Sequence, residues 1–468
     1  MTTPLTVGQL REKHPRFIYH SFAAERCAEA LRLRYHFTIE PDIRFTPETV
    51  IEAADWGRIA ALGPGTLERL AFHLGLIETF SYWKATCSPE LLVQAGPLTA
   101  RQVTWWTDLL SHGMREFFYV NRIDFTEPDF VRISAPASHP QGNSPADCPP
   151  PPDRDLVLMS GGKDSALSVQ LLREIGREFH CLLLNPTPAA EAVTAQVGDR
   201  LPIVVRRTID PHLLALNQAG YLNGHTPFSA YLAMLGVTCA VLSGYRRVIV
   251  ANERSADEGN VEFLGREVNH QYSKTLRFER AFRRYSQANL SKEVQYFSLL
   301  RPLYEVQIAR LFARYPHYFG SFASCNRNQR DGSWCRRCAK CLSTFTLLYP
   351  FLPADEVRRI FGADLFERTE ALPVLHELLG FTAHKPFECV GTAEEMLGAL
   401  YLGVQKVKAR GGALPAVLRH VEAEILPRHP DLPQRVEHLL RAWSDQHHLP
   451  QEYATVLKSR LAGQDETR

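Results

Sequence analysis

The sequence predicts an α/β fold: a parallel sheet core, preceded by an N-terminal α+β unit and followed by a helical C-terminal unit. Three observations carry that prediction. Short apolar runs alternate with helical stretches through the middle of the chain, a proline-rich stretch sets them off from what precedes, and strand-like runs stop beyond about residue 352. A chain of 468 residues with 45% apolar side chains can bury a sizeable core. At roughly 150 residues per domain it has room for about three.

The first unit spans 1–133. Residues 16–51 read mainly as strands, 67–83 and 98–113 as helices, the second carrying Trp105 and Trp106, and FFYVNRIDF (117–125) as a return to strand. No reactive motif stands out in it. Residues 134–153, SAPASHPQGNSPADCPPPPD, hold seven prolines among Ser, Gly, Asn and Asp. Such a stretch has little to pack and favours an extended, polyproline-like linker.

The second unit, 154–351, repeats strand, turn and helix. Leu156-Val157-Leu158-Met159, Cys181-Leu182-Leu183-Leu184, Ile203-Val204-Val205 and Val248-Ile249-Val250-Ala251 are short apolar runs, as strands buried on both faces should be. One intervening helix is well marked. Thr226 is placed to cap it, Pro227 to take its first position, and Phe228, Tyr231, Leu232 and Leu235 fall on one face. Alternation of this kind argues for a parallel sheet with helices on both sides. In 352–468, Val357, Ile360 and Phe361, then Val436, Leu439, Leu440 and Trp443, follow helical spacing. No internal repeat is apparent.

Composition narrows the function classes. Fifty-three basic against fifty-one acidic residues leave +2, so no global charge points to nucleic acid or an anionic membrane. The basic pairs Arg246-Arg247, Arg283-Arg284 and Arg336-Arg337 read as solvated faces. The start, MTTPLTVGQLREKHPRF, has charges where a secretory signal needs an apolar core. No segment approaches the ~20 apolar residues that span a bilayer. Ten cysteines, four of them bunched, look like reduced thiols with a metal site. The expectation is a soluble, cytoplasmic protein with no nucleic-acid or membrane partner.

The chemistry begins at Ser160-Gly161-Gly162-Lys163-Asp164-Ser165, directly after the first buried strand and opening the next helix. Glycines let the backbone approach an anion, and successive N–H groups at the positive end of a helix favour phosphate oxygens. The serines add hydroxyl donors, Lys163 a cation, and Asp164 a ligand for Mg²⁺. Ligands of open α/β sheets bind at the carboxyl ends of the strands, where this loop falls. The Walker A spacing is absent. The loop instead resembles the SGGxDS signature of the PP-loop ATP pyrophosphatases, which implies a HUP-like core that splits ATP between its α and β phosphates. The bland alternative is a Gly-rich turn that binds nothing.

A second signal is Cys325, Cys335, Cys338 and Cys341, spaced C-x9-C-x2-C-x2-C, with a turn at Asp331-Gly332. Four thiolates are a natural tetrahedral set for structural Zn²⁺. An iron–sulfur cluster can use the same ligands, and four free thiols remain the plain reading. A third region, 221–284, holds His225, then Glu253, Asp257 and Glu258, then His270, Tyr272 and Lys274. So dense a polar set immediately after a buried strand suits Mg²⁺ binding, proton transfer or phosphate contacts. Each residue alone reads more readily as a hydrogen-bonded structural group or a surface charge, whereas the set together reads as the lining of a site.

Taken in order, HLGLIETFSYWKA (73–85), SGGKDS (160–165), GYLNGHTPFSA (220–230), ANERSADEGN (251–260), VNHQYSK (268–274), SCNRNQRDGSWCRRCAKC (324–341) and KPFECVGT (385–392) resemble the MurL family. These are the bacterial UDP-N-acetylmuramoyl-L-alanyl-L-glutamate epimerases. The linker and the tail after about 410 carry no match. The resemblance implies an enzyme of peptidoglycan precursor synthesis that inverts a terminal L-glutamate to the D form. It implies consumption of ATP with Mg²⁺ and release of AMP and diphosphate. The catalytic candidates are Lys163, Asp164, His225, Glu253, His270 and Lys274. The queuosine-precursor nitrile synthases also join a PP-loop to four cysteines, but they are short single domains. A non-catalytic nucleotide-binding module is the remaining rival.

Overall fold

The structure, a computed structural model, describes residues 6–136, 150–198 and 201–463. Most of the expected linker at 134–153 lies outside these residues. Its first strands are β1 (Arg16–Cys27), β2 (Ala30–Ile39), β3 (Ile43–Phe45), β4 (Glu48–Ile51), β5 (Glu90–Val93) and β6 (Arg132–Ser134). They are followed by β7 (Asp155–Leu158), β8 (Phe179–Leu184), β9 (Ile203–Thr208) and β10 (Arg247–Val250). A small hairpin of β11 (Val261–Phe263) and β12 (Arg266–Val268) precedes the last strand, β13 (Gln295–Ser298). All but the hairpin join one sheet in the order β13-β10-β7-β8-β9-β4-β2-β1-β5-β6, with β3 beside β2.

Strands β13, β10, β7, β8 and β9 are mutually parallel. Counted along the chain, that order is 3-2-1-4-5 read from β9, the doubly wound arrangement with its switch point between β7 and β10. β9 then pairs antiparallel with β4, so the strands of the first 51 residues continue the same sheet. The centres of these strands are apolar because both faces are covered there, while β7 and β10 open on Asp155 and Arg247 and β9 ends on Arg206, Arg207 and Thr208. Leu156, Val248 and Tyr296 face the core shared with the N-terminal elements. Their neighbours Val157, Ile249 and Phe297 face the core shared with the C-terminal helices. β2 shows the complementary case, with Leu31, Leu33, Tyr35, Phe37 and Ile39 buried at every second position.

The helices Thr66–Trp83 and Phe228–Ser243 are buried nearly all round and pack on one another against the first face. Lys163–Ile175 covers the second face with Glu305–Phe312. From residue 299 onward the described residues form helices and turns without a strand. Tyr453, on the helix Gln451–Ala462, donates to Asp155 at 2.5 Å and so fastens the C-terminal end to β7. Among the described residues no helix is long and apolar enough to cross a membrane.

Two local expectations are corrected. FFYVNRIDF is not a strand: Arg115–Val120 is a helix, in which Phe118 N–H donates to Met114. Phe117 and Phe118 are both fully buried, which the alternating faces of an edge strand would not allow. Thr226 does not cap Phe228–Ser243. Pro227 occupies the cap position and no side chain caps the helix.

Candidate active site

The loop Ser160–Ser165 leaves β7 at the switch point and opens the helix Lys163–Ile175. Gly161 sits at φ +84°, and a Cβ there would come 2.4 Å from the backbone nitrogen of Ala190, so only glycine fits. Gly162 holds the cap position and no side chain satisfies the first-turn N–H groups, which leaves them to an anion. Ser165 Oγ donates to the Gly162 carbonyl at 3.0 Å and lies 3.3 Å from Ser160 Oγ.

Lys163 does not reach outward. It is buried and donates to Asp164, at 2.5 Å, and to Glu305. Burial alone would lower its pKa, but the charges of Asp164 and Glu305 hold it well above the usual lysine range. It therefore stays charged and orients Asp164. Glu305, which the sequence reading missed, starts the helix Glu305–Phe312 and lies 3.8 Å from Lys340.

Two cavities meet at this loop. One, of about 230 Å³, is walled by Leu184, Phe228, Leu232 and Val250, with Asn252 and Glu253 at its polar side. The other, of about 180 Å³, is lined by Gly162, Asn328, Lys340 and Cys389. Ser160, Asp164, Thr187 and Lys274 border both. A wider groove of about 840 Å³ carries Arg327, Arg336, Arg337 and Arg359 beside Trp334, and it shares Asn328, Gly332 and Ser333 with the second cavity.

Glu253 follows β10 and Lys274 follows the hairpin, and buried Arg301 holds both by donating to their carbonyl oxygens. Burial, with Glu305 beside it, pushes the Glu253 carboxyl up. Oxygens of Asp164, Glu253 and Glu305 lie within 4.8 Å of one another. Lys274 donates to Cys389 Sγ at 3.1 Å. Burial raises the Cys389 thiol, but Lys274, a hydrogen bond from His270 and the charge of Lys340 bring it down to about 5.

His270 and His225 converge on Glu116 from the N-terminal part of the chain, at 2.5 Å and 3.4 Å. Burial works against the His270 charge, but its bonds to Cys389 and Glu116 raise its pKa to about 9. Burial and the neighbouring His270 push His225 down to about 3, so its ring is neutral. The other polar residues of this region are engaged elsewhere. Asp257 accepts from Leu276 N–H at 2.8 Å, Glu258 pairs with Lys385 at 2.7 Å, and Tyr272 donates to Asp108 at 3.3 Å.

The four cysteines come together with all sulfurs within 4.8 Å. Cys325 and Cys338 are 4.0 Å apart, Cys335 and Cys341 3.8 Å, and Cys338 and Cys341 3.5 Å. Sulfurs around a tetrahedral zinc are about 3.8 Å apart. Backbone N–H groups of Asn328 and Cys335 donate to Cys325 Sγ, and that of Cys341 to Cys338 Sγ, a donor pattern that favours thiolates. The donor set thus fits a divalent metal. Just before it, Ala323 N–H donates to the Gly161 carbonyl at 3.0 Å, which ties this loop to the Ser160–Ser165 loop.

Glu116, Glu305, Lys340 and Cys389 were missed as site residues. Lys340 and Cys389 lay in stretches the sequence had marked, SCNRNQRDGSWCRRCAKC and KPFECVGT, but nothing in their spacing pointed to the cavity.

Residues 9–299 match the family model described as the MurL N-terminal domain, and 321–431 that described as the MurL C-terminal domain. Three relatives share the name UDP-N-acetyl-alpha-D-muramoyl-L-alanyl-L-glutamate epimerase. The one from Salinispora tropica is 38% identical over 72% of this chain and 73% of its own length. The one from a Micromonospora species is 35% identical over 84% and 86%. The one from Xanthomonas oryzae pv. oryzae is 32% identical over 86% and 89%. No solved structure matches the chain.

Proposed function

The chain belongs to the MurL family, and from that premise we propose that it inverts the terminal L-glutamate of UDP-N-acetylmuramoyl-L-alanyl-L-glutamate to D-glutamate, at the cost of ATP cleaved to AMP and diphosphate. The observation that carries the ATP half of the reading is the uncapped, glycine-bearing helix start at the sheet's switch point. It opens onto an apolar cavity suited to a nucleoside and a polar one suited to a carboxylate.

A free carboxylate withdraws electrons poorly, so the hydrogen on the carbon beside it is hard to remove. Transfer of AMP to that carboxylate cancels its charge and makes it ester-like, so the enolate formed on deprotonation is stabilised. A proton returned to the opposite face inverts the centre, and hydrolysis of the acyl-adenylate frees the acid. ATP cleavage gives the inversion a direction that a simple racemase lacks.

In this reading the first-turn N–H groups of Lys163–Ile175 hold the phosphates. Lys274, on the border of both cavities, faces the developing negative charge. Asp164 and Glu253 offer the oxygen donors that suit Mg²⁺, which when bound neutralises phosphate charge. The cysteine cluster takes Zn²⁺ as a structural ion that braces the phosphate loop. The arginine groove beside Trp334 suits the diphosphate and base at the far end of the substrate.

The test is incubation with ATP, Mg²⁺ and the L-glutamate-terminated UDP-muramoyl dipeptide, followed by acid hydrolysis and assay of glutamate chirality alongside AMP. D-glutamate and AMP together, both lost in Asp164→Ala, are expected. D-glutamate formed without ATP would overturn the adenylation, and AMP formed without inversion would overturn the epimerase.

A further inference from the structure

Inversion needs a base close to the activated carboxylate, and the polar cavity narrows the choice. Of its charged lining groups, Lys274 and Lys340 are cationic donors, and Asp164 is held by Lys163. His270, on the Cys389 side, carries its proton between Glu116 and the sulfur. Among the described residues that line this cavity, Cys389 offers a sulfur lone pair for a proton, held by Lys274 and His270 and not committed to the cysteine cluster as Cys325 is. Its backbone is fixed independently: the Cys389 carbonyl accepts from Lys340, and the adjacent Glu388 carboxylate accepts from Lys340 N–H at 2.6 Å. The sulfur is therefore placed on the cavity wall by contacts that do not use it.

We propose that Cys389 Sγ is one of the two proton-transfer groups of the epimerisation, placed between Lys274 and His270 on the wall of the cavity that adjoins the phosphate loop. This rests on the epimerase reading above. In the step, a sulfur lone pair takes the α-proton and forms S–H. The C–H bonding pair moves into the acyl-adenylate carbonyl to give the enolate. The enolate then takes a proton on its opposite face from a water or a second acid there, and the thiol returns its proton to solvent. Lys274 and His270 favour the anionic sulfur before the transfer. A thiolate next to two cations is also a nucleophile, and attack on the acyl-adenylate carbonyl is the rival role for the same atom.

The experiment compares the full-length protein with Cys389→Ser and Cys389→Ala. Thermal melting and ATP binding check that the variants fold. Substrate-dependent exchange of diphosphate into ATP reads adenylation, and D-glutamate formation reads inversion. Both variants are expected to keep exchange within about tenfold and to lose inversion by about 10²–10⁴-fold, the usual contribution of a proton-transfer group. In D₂O, incorporation of α-deuterium should fall in step with inversion. Iodoacetamide at pH 6 should alkylate Cys389 ahead of half-buried Cys27, and substrate with ATP should protect it.

Folded variants that invert at the wild-type rate would overturn the proposal, as would a Cys389 no more reactive than Cys27. A protein adduct with the mass of the substrate acyl group at Cys389 would replace the base with the nucleophile. Wild-type inversion without diphosphate exchange would instead remove the adenylation and leave the Cys389 comparison readable.

Discussion

His270 has two anionic partners, Glu116 on Nδ1 and the Cys389 sulfur, and its charge depends on both. The pair Cys389 and His270 is competent when the sulfur is ionised and the ring protonated. With Cys389 at about 5 and His270 at about 9, the sulfur loses its charge as pH falls through 5 and the ring loses its proton as pH rises through 9. Inversion should therefore be level between those limits and fall on both sides. The groups facing Cys389 are Lys274, His270 and Lys340; those facing His270 are Glu116, His225 and Cys389. Glu116→Gln removes the negative charge that helps raise His270, so the alkaline limb should move toward neutral pH. A less cationic His270 also supports the thiolate less, so the acid limb should rise. A pH profile of D-glutamate formation in this variant checks both shifts, and limbs that stay in place would show that Glu116 does not govern the ring. The polar residues after β10 and the hairpin were legible because such density is unusual after a buried strand. Glu116 and Cys389 were not, because they reach His270 and Lys274 across more than a hundred residues of chain, and no local spacing encodes such a meeting.

Elements were read best where one physical constraint dominated. The strands β7, β8 and β10 had to be apolar where both faces are covered, and the helix 98–113 had to carry an inward stripe, so these appear within two residues of expectation, as does the all-round-buried helix at 67–83; β9 runs three residues past the expected 203–205, through Arg206 and Arg207. FFYV failed because a short aromatic run has no period to distinguish strand from helix; tertiary packing of Phe117 and Phe118 decided it. The cysteine loop was legible as a cluster, but its tie to the Ser160–Ser165 loop was not. Cys338 caps the helix Ala339–Leu348 through its sulfur, and the segment ahead of the cluster holds the Gly161 carbonyl through Ala323. Cys338→Ser should lower bound zinc, measured by elemental analysis, and destabilise the fold by about 3 kcal/mol or more, since a lost structural metal is among the costliest single changes. Its ATP affinity should fall with the metal content although Cys338 lines neither cavity. A fully active Cys338→Ser protein with an unchanged melt would show that the cluster holds no structural ion.

At the scale of the molecule the decisive feature is the seam between β9 and β4. Glu48, Thr49, Val50 and Ile51 pair with Thr208, Arg207, Arg206 and Val205, so the run of parallel strands ends against a strand from the start of the chain. The sequence showed strands on both sides of a proline-rich stretch, but which strand edges meet is a non-local fact that no period records. Three contacts make the seam costly to open. β9 would become a bare edge. The helix Phe228–Ser243, apolar all round, would lose Thr66–Trp83. Buried Glu78 pairs with Arg207 through two bonds of 2.8 Å, which tie the helix Thr66–Trp83 to β9. The N-terminal part also brings Glu116 to His270, so the seam carries the site as well as the core. Residues 150–463 produced alone should therefore be poorly soluble, bind a hydrophobic dye and melt without a cooperative transition, and adding residues 1–136 in trans should partly restore solubility. A cooperative melt from 150–463 alone would show that the parallel strands and their helices hold together without the seam, and that β4 is an addition to a finished fold.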